Sequence, residues 1–478
     1  MNTQNEGSHA KSPWKFLAVI LILICLVLVS SSHPLQAEAH VYTFVVNSTD
    51  DEGDPWPGDG VCDTDTTPRP PPVGECTLRA ALEEIYGLYM GYYLPVDKDT
   101  HTITVPAGTY NLTLGELGVG GNIIINGAGR DATIIDGQAS YRVMGVGAPV
   151  FPDVVTIQIN DLEVRNGQSG AAGGLYIFDG NVTLNNVNIS NNYADVTGGG
   201  GISNAGQLTL NHVVLSGNQA EQYGGAIYNH ASGVLQVMDS TFYRNKSLDA
   251  TGLHPGGAIY NSAGASLVIQ RSTFEGNNAP KGGGLFNEGS AQLTNVTFSS
   301  NKGTTTLTAG GAAIYNNGPG QLWLWNITIA GNESTIPAAL TNSGNIEVMA
   351  HTIVANNTGG DCDNTGTVVP ANEHHNLGGD GSCLTNSMFT DPTDQTSTDP
   401  KLLTLADNGG PTETMGLASD SPAIDAGGIC NSGGLPLLTD QRGWPRTVDG
   451  DVNGTATCDL GAFEAPPPYQ LWLPLIMR

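Results

Sequence analysis

Two stretches of the chain decide its fold. Residues 224–245 read GGAIYNHASGVLQVMDSTFYRN, and residues 256–277 read GGAIYNSAGASLVIQRSTFEGN. Apolar side chains recur at every second position in both stretches, as in Leu267 and Ile269. This spacing predicts short β-strands whose alternate side chains face one core. The paired glycines allow the positive φ or the close backbone approach that a tight corner needs.

The same pattern recurs between about residues 155 and 356, with successive copies roughly 24 to 32 residues apart. Its sharpest element is an apolar residue followed three positions later by asparagine: Ile189–Asn192, Leu215–Asn218, Phe242–Asn245, Phe274–Asn277, Phe298–Asn301, Ile329–Asn332 and Ile353–Asn356. Asparagines at equivalent corners can form a hydrogen-bonded ladder. A strand-based period of this length predicts a β-solenoid, in which stacked coils share a core. Leucine-rich repeats are excluded, because their spacing is not kept and no helical face follows the strands.

Flanking segments extend the predicted solenoid and close its first coil. Strand-like sequences lie at 102–105, 123–125, 133–135 and 154–159. Residues 76–85 have helical character, with an apolar stripe formed by Leu78, Ala81, Leu82, Ile85 and Tyr89. Because a solenoid needs closed ends, we expect this helix to cover the first coil as an apolar lid.

Residues 1–39 have the layout of a secretory signal peptide. Two lysines precede an apolar run at 16–29, and Ala37 and Ala39 stand at the −3 and −1 positions of a cleavage site. An uncleaved membrane anchor is the alternative, although the run is short for a span of about 20 residues.

The cysteines fit an oxidising compartment. Six lie outside the signal segment and fall as three local couples, Cys62–Cys76, Cys362–Cys383 and Cys430–Cys458. The chain has no C-x-x-C spacing, so we expect disulfides rather than a structural metal–thiolate site.

The composition excludes other classes of protein. The 478 residues carry 17 Lys and Arg against 45 Asp and Glu, a formal net charge of −28. A chain this acidic, without a basic patch, is not expected to bind nucleic acid. A hydrophobic share of 39% excludes a disordered polyelectrolyte.

Three segments resemble known families. Residues 76–82, CTLRAAL, resemble the CSLREA-type segment of bacterial surface β-helix proteins, and the Gly-Gly-Ala-Ile and Phe-x-x-Asn copies resemble the polymorphic outer-membrane-protein repeat. The motifs DPKLL, DNGGPT, SPAIDAG, TDQRG and DLGAFE between residues 399 and 464 are similar to the C-terminal region of choice-of-anchor surface proteins. The resemblance implies an exported, all-β, right-handed parallel β-helix (a β-solenoid of the pectate-lyase-like class) with a short N-terminal capping helix and a C-terminal loop-rich β extension.

These features predict five parts: a signal peptide at 1–39, an N-terminal CSLREA-like cap with its helix at 40–100, parallel β-helix repeats at 101–360, a choice-of-anchor-like region at 361–465, and a proline spacer with an apolar tail at 466–478. The tail has the character of a sorting or retention signal. The alternative is an edge strand that packs on the last coil.

One column of the repeats has side chains of catalytic type. It lies six residues before each repeat asparagine, and His212, Asp239 and Arg271 occupy it on successive coils. The motifs of polygalacturonases are absent from the repeats. The alternative is a solvated column with one Asp–Arg pair worth less than about 1 kcal/mol.

Calcium is the one cofactor that the sequence suggests. Asp449, Asp451 and Asn453 match the first half of a D-x-D-x-N-G calcium loop. Position 12 would be Leu460, so the bidentate carboxylate is missing. The alternative is an acidic turn between Cys430 and Cys458.

The sequence therefore favours a secreted, cell-surface-attached β-helix that mediates adhesion or contact with polysaccharide or cells, without an assembled catalytic site. The expected partner is an extracellular polysaccharide or a cell-envelope component, with envelope attachment through the C-terminal tail. The alternative is a calcium-dependent polysaccharide lyase or glycosidase acting on acidic glycans, although a charge of −28 would repel polyuronates unless calcium bridged them. A structural spacer in a surface layer is the third hypothesis.

Overall fold

Each coil of the chain contributes short strands to four faces, which are separated by corners. The computed structural model describes residues 40–65, 74–147, 154–249, 255–303, 310–335 and 338–467. From Tyr42 onward these residues belong to one compact unit. The predicted signal peptide at 1–39 and nearly all of the tail at 466–478 lie outside the described residues.

The first and second faces form one broad parallel sheet. The first face contains Thr43–Val45, His101–Val105, Ile123–Gly127, Thr156–Asn160, Asn181–Asn185, Gln207–Asn211, Val234–Met238, Asn345–Ala350, Thr367–Val368 and Glu373–His374. The second contains Gly108–Asn111, Thr133–Asp136, Glu163–Arg165, Asn188–Ser190, Val214–Ser216, Thr241–Tyr243, Ile353–Ala355 and Leu377–Gly378. Three long strands run through both faces: Ser266–Glu275, Ser290–Ser299 and Gln321–Ala330.

The third and fourth faces are separate parallel sheets. The third contains Gln168–Ser169, Tyr193–Ala194, Gln219–Ala220, Lys246–Ser247, Asn278–Ala279, Lys302–Gly303 and Glu333–Ser334. The fourth contains ten strands: Leu117–Val119, Met144–Val146, Leu175–Ile177, Ile202–Asn204, Ile227–Asn229, Ile259–Asn261, Leu285–Asn287, Ile314–Asn316, Leu340–Asn342 and Cys362–Asn364. The predicted parallel β-helix is confirmed, and so are the four flanking strands.

The core runs through the inside of the stacked coils. The predicted inward residues Leu210, Val237, Ile269 and Leu293 are all fully buried. Their strands pair in register, so that each lies over its counterpart in the next coil. Aliphatic side chains from successive coils therefore share one dry interior, as the alternating pattern predicts.

Two ladders of buried asparagines connect the coils. The first follows the second face, with Nδ2–Oδ1 distances of 2.9 to 3.0 Å along Asn192, Asn218, Asn245, Asn277, Asn301, Asn332 and Asn357. The second follows the fourth face, with distances of 2.8 to 2.9 Å along Asn204, Asn229, Asn261, Asn287, Asn316, Asn342 and Asn364. Burying an amide side chain costs free energy unless it is hydrogen-bonded. Each asparagine of a ladder donates to the amide oxygen of the next and so supplies that hydrogen bond.

The last copy of the repeat is shifted by one residue from the prediction. Asn357, not Asn356, accepts the ladder hydrogen bond at 3.0 Å, and Met349, not Val348, is the fully buried strand residue. The cause is a shift of pairing register after Leu322, where the next coil has an additional residue. A bulge of this kind moves every later position by one.

The predicted helix closes the N-terminal end. It spans Leu78–Met90, begins at the N-cap Thr77, and ends at Gly91 with φ 72°. The predicted stripe is buried and belongs to the same hydrophobic cluster as the coils: Leu78, Ala81, Leu82, Ile85 and Tyr89. The prediction of an apolar lid is confirmed.

The C-terminal end is closed differently. A short helix at Ser382–Thr385 follows a 3₁₀ turn at Pro370–Asn372, and Met388 and Phe389 are fully buried on the last coil. Residues 399–465, here called the C-terminal extension, contain the antiparallel pairs Leu402–Ala406 with Thr414–Leu417 and Asn431–Ser432 with Leu435–Pro436.

The three predicted disulfides are present. Cys62–Cys76, Cys362–Cys383 and Cys430–Cys458 have Cα–Cα distances of 5.3, 4.8 and 5.7 Å. The first lies beside the start of the N-terminal helix, and the second joins the last coils to the short C-terminal helix. Within the described ranges, no helix has both the length and the apolar character that a membrane span requires.

Candidate functional site

The predicted column of His212, Asp239 and Arg271 lies at the corner between the first and second faces. All three residues have positive φ, between 47° and 55°. Arg271 donates from Nε and Nη2 to the two carboxylate oxygens of Asp239 at 2.8 Å each, and these bonds raise the pKa of the guanidinium. His212 is exposed. Because the guanidinium is held by the carboxylate, this geometry fits a corner ion pair.

Further along the solenoid, the C-terminal extension covers the same column. Arg446 Nη2 donates to Asn295 Oδ1 at 2.7 Å, and the Asn295 amide donates to the Thr439 carbonyl at 2.8 Å. Asn326 lies with its amide nitrogen 3.4 Å from the Asp459 carbonyl oxygen. This part of the column therefore serves docking of the extension.

The predicted calcium ligands lie in an acidic turn of the extension. Asp449 and Asp451 each place a carboxylate oxygen within 4.8 Å of one from Asp425, which the sequence analysis did not include. The backbone N–H groups of Asn453 and Gly454 donate to Asp449 at 3.0 and 2.9 Å. The Asn453 amide nitrogen donates to Asp451 at 2.8 Å. The structure therefore joins two of the three predicted ligands, adds a third carboxylate, and uses Asn453 to hold the turn.

A groove of about 490 Å³ is lined by the second face and by residues 407–413 of the extension, where Thr273 donates to the Glu413 carbonyl at 2.6 Å. Tyr243 and Glu275 line one side and Glu413 lines the other. Burial and the Glu413 carboxylate raise the pKa of Glu275. Two carboxyl groups that face one groove are the type of arrangement that glycoside hydrolysis uses.

An aromatic row lies along the outside of the fourth face. In each strand the residue after the inward-facing aliphatic residue points away from the core, and in five coils it is aromatic: Tyr176, Tyr228, Tyr260, Phe286 and Tyr315. Between Tyr176 and Tyr315, Ser203 is the one residue of the row that is not aromatic, and its hydroxyl lies 2.7 Å from Nε2 of His230. The His230 ring centroid is 4.0 Å from that of Tyr228 and 6.1 Å from that of Tyr176, so the rings stay continuous.

Neighbouring rings of the row lie at similar distances, although Tyr228 and Tyr260, with centroids 5.5 Å apart, have planes inclined by 69°. The Tyr260–Phe286 and Phe286–Tyr315 centroids are 5.2 and 5.3 Å apart, with planes inclined by 13° and 21°. Five coil steps of about 4.8 Å give it a length of about 24 Å. Tyr176, Tyr228 and Tyr315 are half-buried, whereas Tyr260 and Phe286 are buried.

Each end of the row has a cation. Arg142 lies over the Tyr176 ring at 5.1 Å, and Lys281 lies over the Tyr315 ring at 5.3 Å. In the middle, the Tyr260 hydroxyl donates to Glu288 at 2.5 Å. The sequence analysis recorded the tyrosines of this motif without using them. Each tyrosine follows directly after an aliphatic residue that faces the core, and this position predicts that its side chain lies on the outer side of the sheet.

The extension contains buried charges that the sequence analysis did not identify as a group. Arg442 pairs with Asp440 at 2.6 Å, and Arg446 pairs with Glu464 at 3.3 Å. Burial, with the neighbouring Glu464, raises the pKa of Asp459 to about 8. Asp440 and Arg442 belong to the TDQRG motif, Asp459 and Glu464 belong to DLGAFE, and Arg446 lies between the two. The motifs meet where Arg442 donates to the Glu464 carbonyl, and they hold the extension on the solenoid.

Comparison with known families finds one match. Residues 212–230 match the repeat of the Chlamydia polymorphic membrane proteins. This match supports the resemblance of the repeat, whereas the CSLREA and choice-of-anchor resemblances stay predictions. No curated protein and no solved structure matches the chain.

Proposed function

We propose that this protein, which has a polymorphic-membrane-protein repeat in one coil, is displayed on the cell surface and binds neutral polysaccharide along its fourth face. The aromatic row is the observation that carries the proposal. It places rings from five coils along one face of the solenoid, of which Tyr176, Tyr228 and Tyr315 are half-buried.

The chemistry of the row fits a sugar chain. Pyranose rings expose C–H groups on their faces, and these groups pack on aromatic rings, while the hydroxyl groups around the edge need hydrogen-bond partners. Glu288 and Asn317 lie beside the row, where the Asn317 amide donates to Glu288 at 2.8 Å. A rigid row about 24 Å long could contact four or five sugars, at about one sugar per coil step.

The charge of the protein restricts the glycan. A net charge of −28 disfavours the approach of polyanions. The two cations at the row, Arg142 and Lys281, each lie over a tyrosine ring. Because these contacts already engage them, two cations do not offset the repulsion of a polyanion. We therefore favour an uncharged chain over a polyuronate. The repeat match to a bacterial outer-membrane family supports a location at the cell surface.

A triple variant tests the proposal. Replacing Tyr176, Tyr228 and Tyr315 by Ser removes three half-buried rings but keeps the buried ones. If each ring contributes about 0.5–1.5 kcal/mol, affinity should fall on the order of 10- to 1000-fold. The measurement is co-sedimentation with insoluble neutral polysaccharides, followed by titration on an array of soluble glycans.

The matched control replaces Tyr92 and Tyr93, which are exposed on the N-terminal region, by Ser. It should bind as the parent does. Equal binding by the triple variant and the control would contradict the proposal, and so would binding to acidic glycans alone.

The second candidate function is a calcium-dependent lyase or glycosidase that acts in the groove beside Glu275 and Glu413. The observation that favours it is that both residues line one groove and that the Glu413 carboxylate raises the pKa of Glu275. Absorbance at 235 nm on pectate and alginate, with and without calcium, detects the unsaturated product of a lyase. If the parent forms unsaturated product and Glu275→Gln does not, the lyase function would replace the binding proposal.

A further inference from the structure

Three histidines meet near the C-terminal end of the solenoid, outside the column that the sequence analysis considered. His351 lies at the corner between the first and second faces, and His374 and His375 lie at the equivalent corner of the next coil. One ring nitrogen from each lies within 4.8 Å of one from both others. The Nδ1 atoms of His374 and His375 are 3.1 Å apart.

His351 is the informative member of the group. Its side chain is fully buried, and by hydrogen-bond geometry neither Nδ1 nor Nε2 has a partner among the described residues, although the backbone of Gly427 interacts with the ring. A buried polar group without a partner costs roughly 1–3 kcal/mol, and few native groups remain in that state without a reason. Its ring centroid is 5.3 Å from that of His374 and 5.7 Å from that of His375.

We propose that His351, His374 and His375 bind a divalent transition-metal ion of the zinc class. Zinc–nitrogen bonds are about 2.0–2.1 Å long, so two ligand nitrogens on a tetrahedral ion are about 3.3 Å apart. The 3.1 Å between His374 and His375 is close to this value. The other two nitrogen–nitrogen distances are at most 4.8 Å.

The surroundings suit a cation bound by neutral imidazoles. A neutral imidazole offers an unprotonated ring nitrogen to a metal ion. The Asp391 carboxylate interacts electrostatically with His374 and His375. Arg446 is the cation that faces His351, and Glu464 neutralises it at 3.3 Å.

The extension leaves room at the site. A Cβ atom at Gly427 would lie 3.1 Å from the His351 ring, and one at Gly428 would lie 3.5 Å from Nε2 of His375. Three histidines leave one position of a tetrahedral ion for water or a carboxylate. A bound ion would join two coils beneath the extension and so stabilise this end of the rod.

The experiment uses the tag-free protein with its disulfides intact. Zinc chloride should bind at one equivalent by isothermal titration calorimetry and raise the unfolding temperature. Cobalt should give the visible absorption bands of a tetrahedral site, and excess calcium should not compete, because calcium prefers oxygen ligands.

The variants form a matched pair. His351→Asn and His212→Asn make the same change at the same type of corner, where asparagine already occurs in other coils, as at Asn326 with φ 54°. His351→Asn should weaken zinc binding at least about 100-fold, since a lost ligand costs no less than a lost supporting contact. His212→Asn should bind as the parent does. His374→Ala should also weaken zinc binding. Because His374 is half-buried, this variant removes a second ligand without disturbing the core.

Equal zinc binding by the parent and by both ligand variants would overturn the proposal, as would the absence of zinc binding to the parent. Binding that requires reduction would assign the ion to Cys430 and Cys458, whose sulfur atoms also lie within 4.8 Å of a His351 ring nitrogen. That result would overturn it too.

Discussion

The N-terminal lid and the C-terminal extension are held on the solenoid by different physical means. At the N-terminal end, the helix Leu78–Met90 continues the interior, and its apolar side chains belong to the same cluster as those of the coils. The C-terminal extension lies outside the second face. It has a separate small cluster that contains Ile353, Leu417 and Phe463, next to the buried pairs of Arg442 and Arg446.

This difference shows which parts of a solenoid tolerate change. An apolar lid tolerates substitutions that conserve volume, because dispersion and burial have little directional preference. Buried ion pairs depend on both partners, and the loss of one leaves an uncompensated charge. We therefore expect the extension to be more sensitive than the lid to a single substitution.

The largest expected effect is that of Arg446→Met. It removes the partner of Glu464 and the donor to Asn295, so the free energy of unfolding of the extension should fall by about 4 kcal/mol. Hydrogen exchange of residues 399–465 and urea denaturation measure the loss. The control is Arg271→Met, whose partly exposed pair with Asp239 should cost at most about 1 kcal/mol. Equal losses would remove the distinction between the two types of pair.

The next effect is that of Leu82→Ala in the lid. The cavity should cost about 3 kcal/mol, since Leu82 is only 1% exposed. Hydrogen exchange should accelerate in the lid and the first coils and stay unchanged in the extension. Leu384→Ala, at a 51% exposed position on the short C-terminal helix, is the control and should change stability by less than about 0.5 kcal/mol. Faster exchange throughout the chain would mean that the ends are coupled.

The smallest effect is a pH dependence that differs between the ends. Burial raises the pKa of Glu84 in the lid to about 7 and that of Asp459 in the extension to about 8. A carboxyl whose folded-state pKa is raised stabilises the fold below its unfolded pKa of about 4 and loses that contribution as the pH rises through the folded value. The lid should therefore lose stability progressively between about pH 4 and pH 7, and the extension between about pH 4 and pH 8.

Hydrogen exchange at several pH values, corrected for intrinsic rates, separates the two transitions. Glu84→Gln should abolish the pH dependence of the lid and leave that of the extension. A lid that becomes more protected as the pH rises would contradict the sign of this prediction.

The repeat could be predicted from the sequence because its signals are local. Leu210 and Ile269 follow the two-residue period of a strand, and the ladder asparagines recur at each coil. The lid was predictable from its helical stripe. The disulfides could be predicted from the proximity of each pair along the chain.

The failures have a common physical cause, which is long-range register. The bulge after Leu322 moves the ladder from Asn356 to Asn357, so the residue six positions earlier is His351 rather than Ala350. With the correct register, the corner column continues to His351 and leads to the three-histidine cluster. No local pattern indicates that Arg446 meets Asn295, since 151 residues separate them.

The ladders have a further consequence for the variability of the rod. The segment between the first and second ladders spans 245–261 in one coil but only 277–287 in the next, and both rungs still form. Residues can thus be gained or lost along this edge without moving any rung or any ring of the aromatic row. Sequence drift could therefore accumulate along a single edge while the aromatic row keeps its spacing.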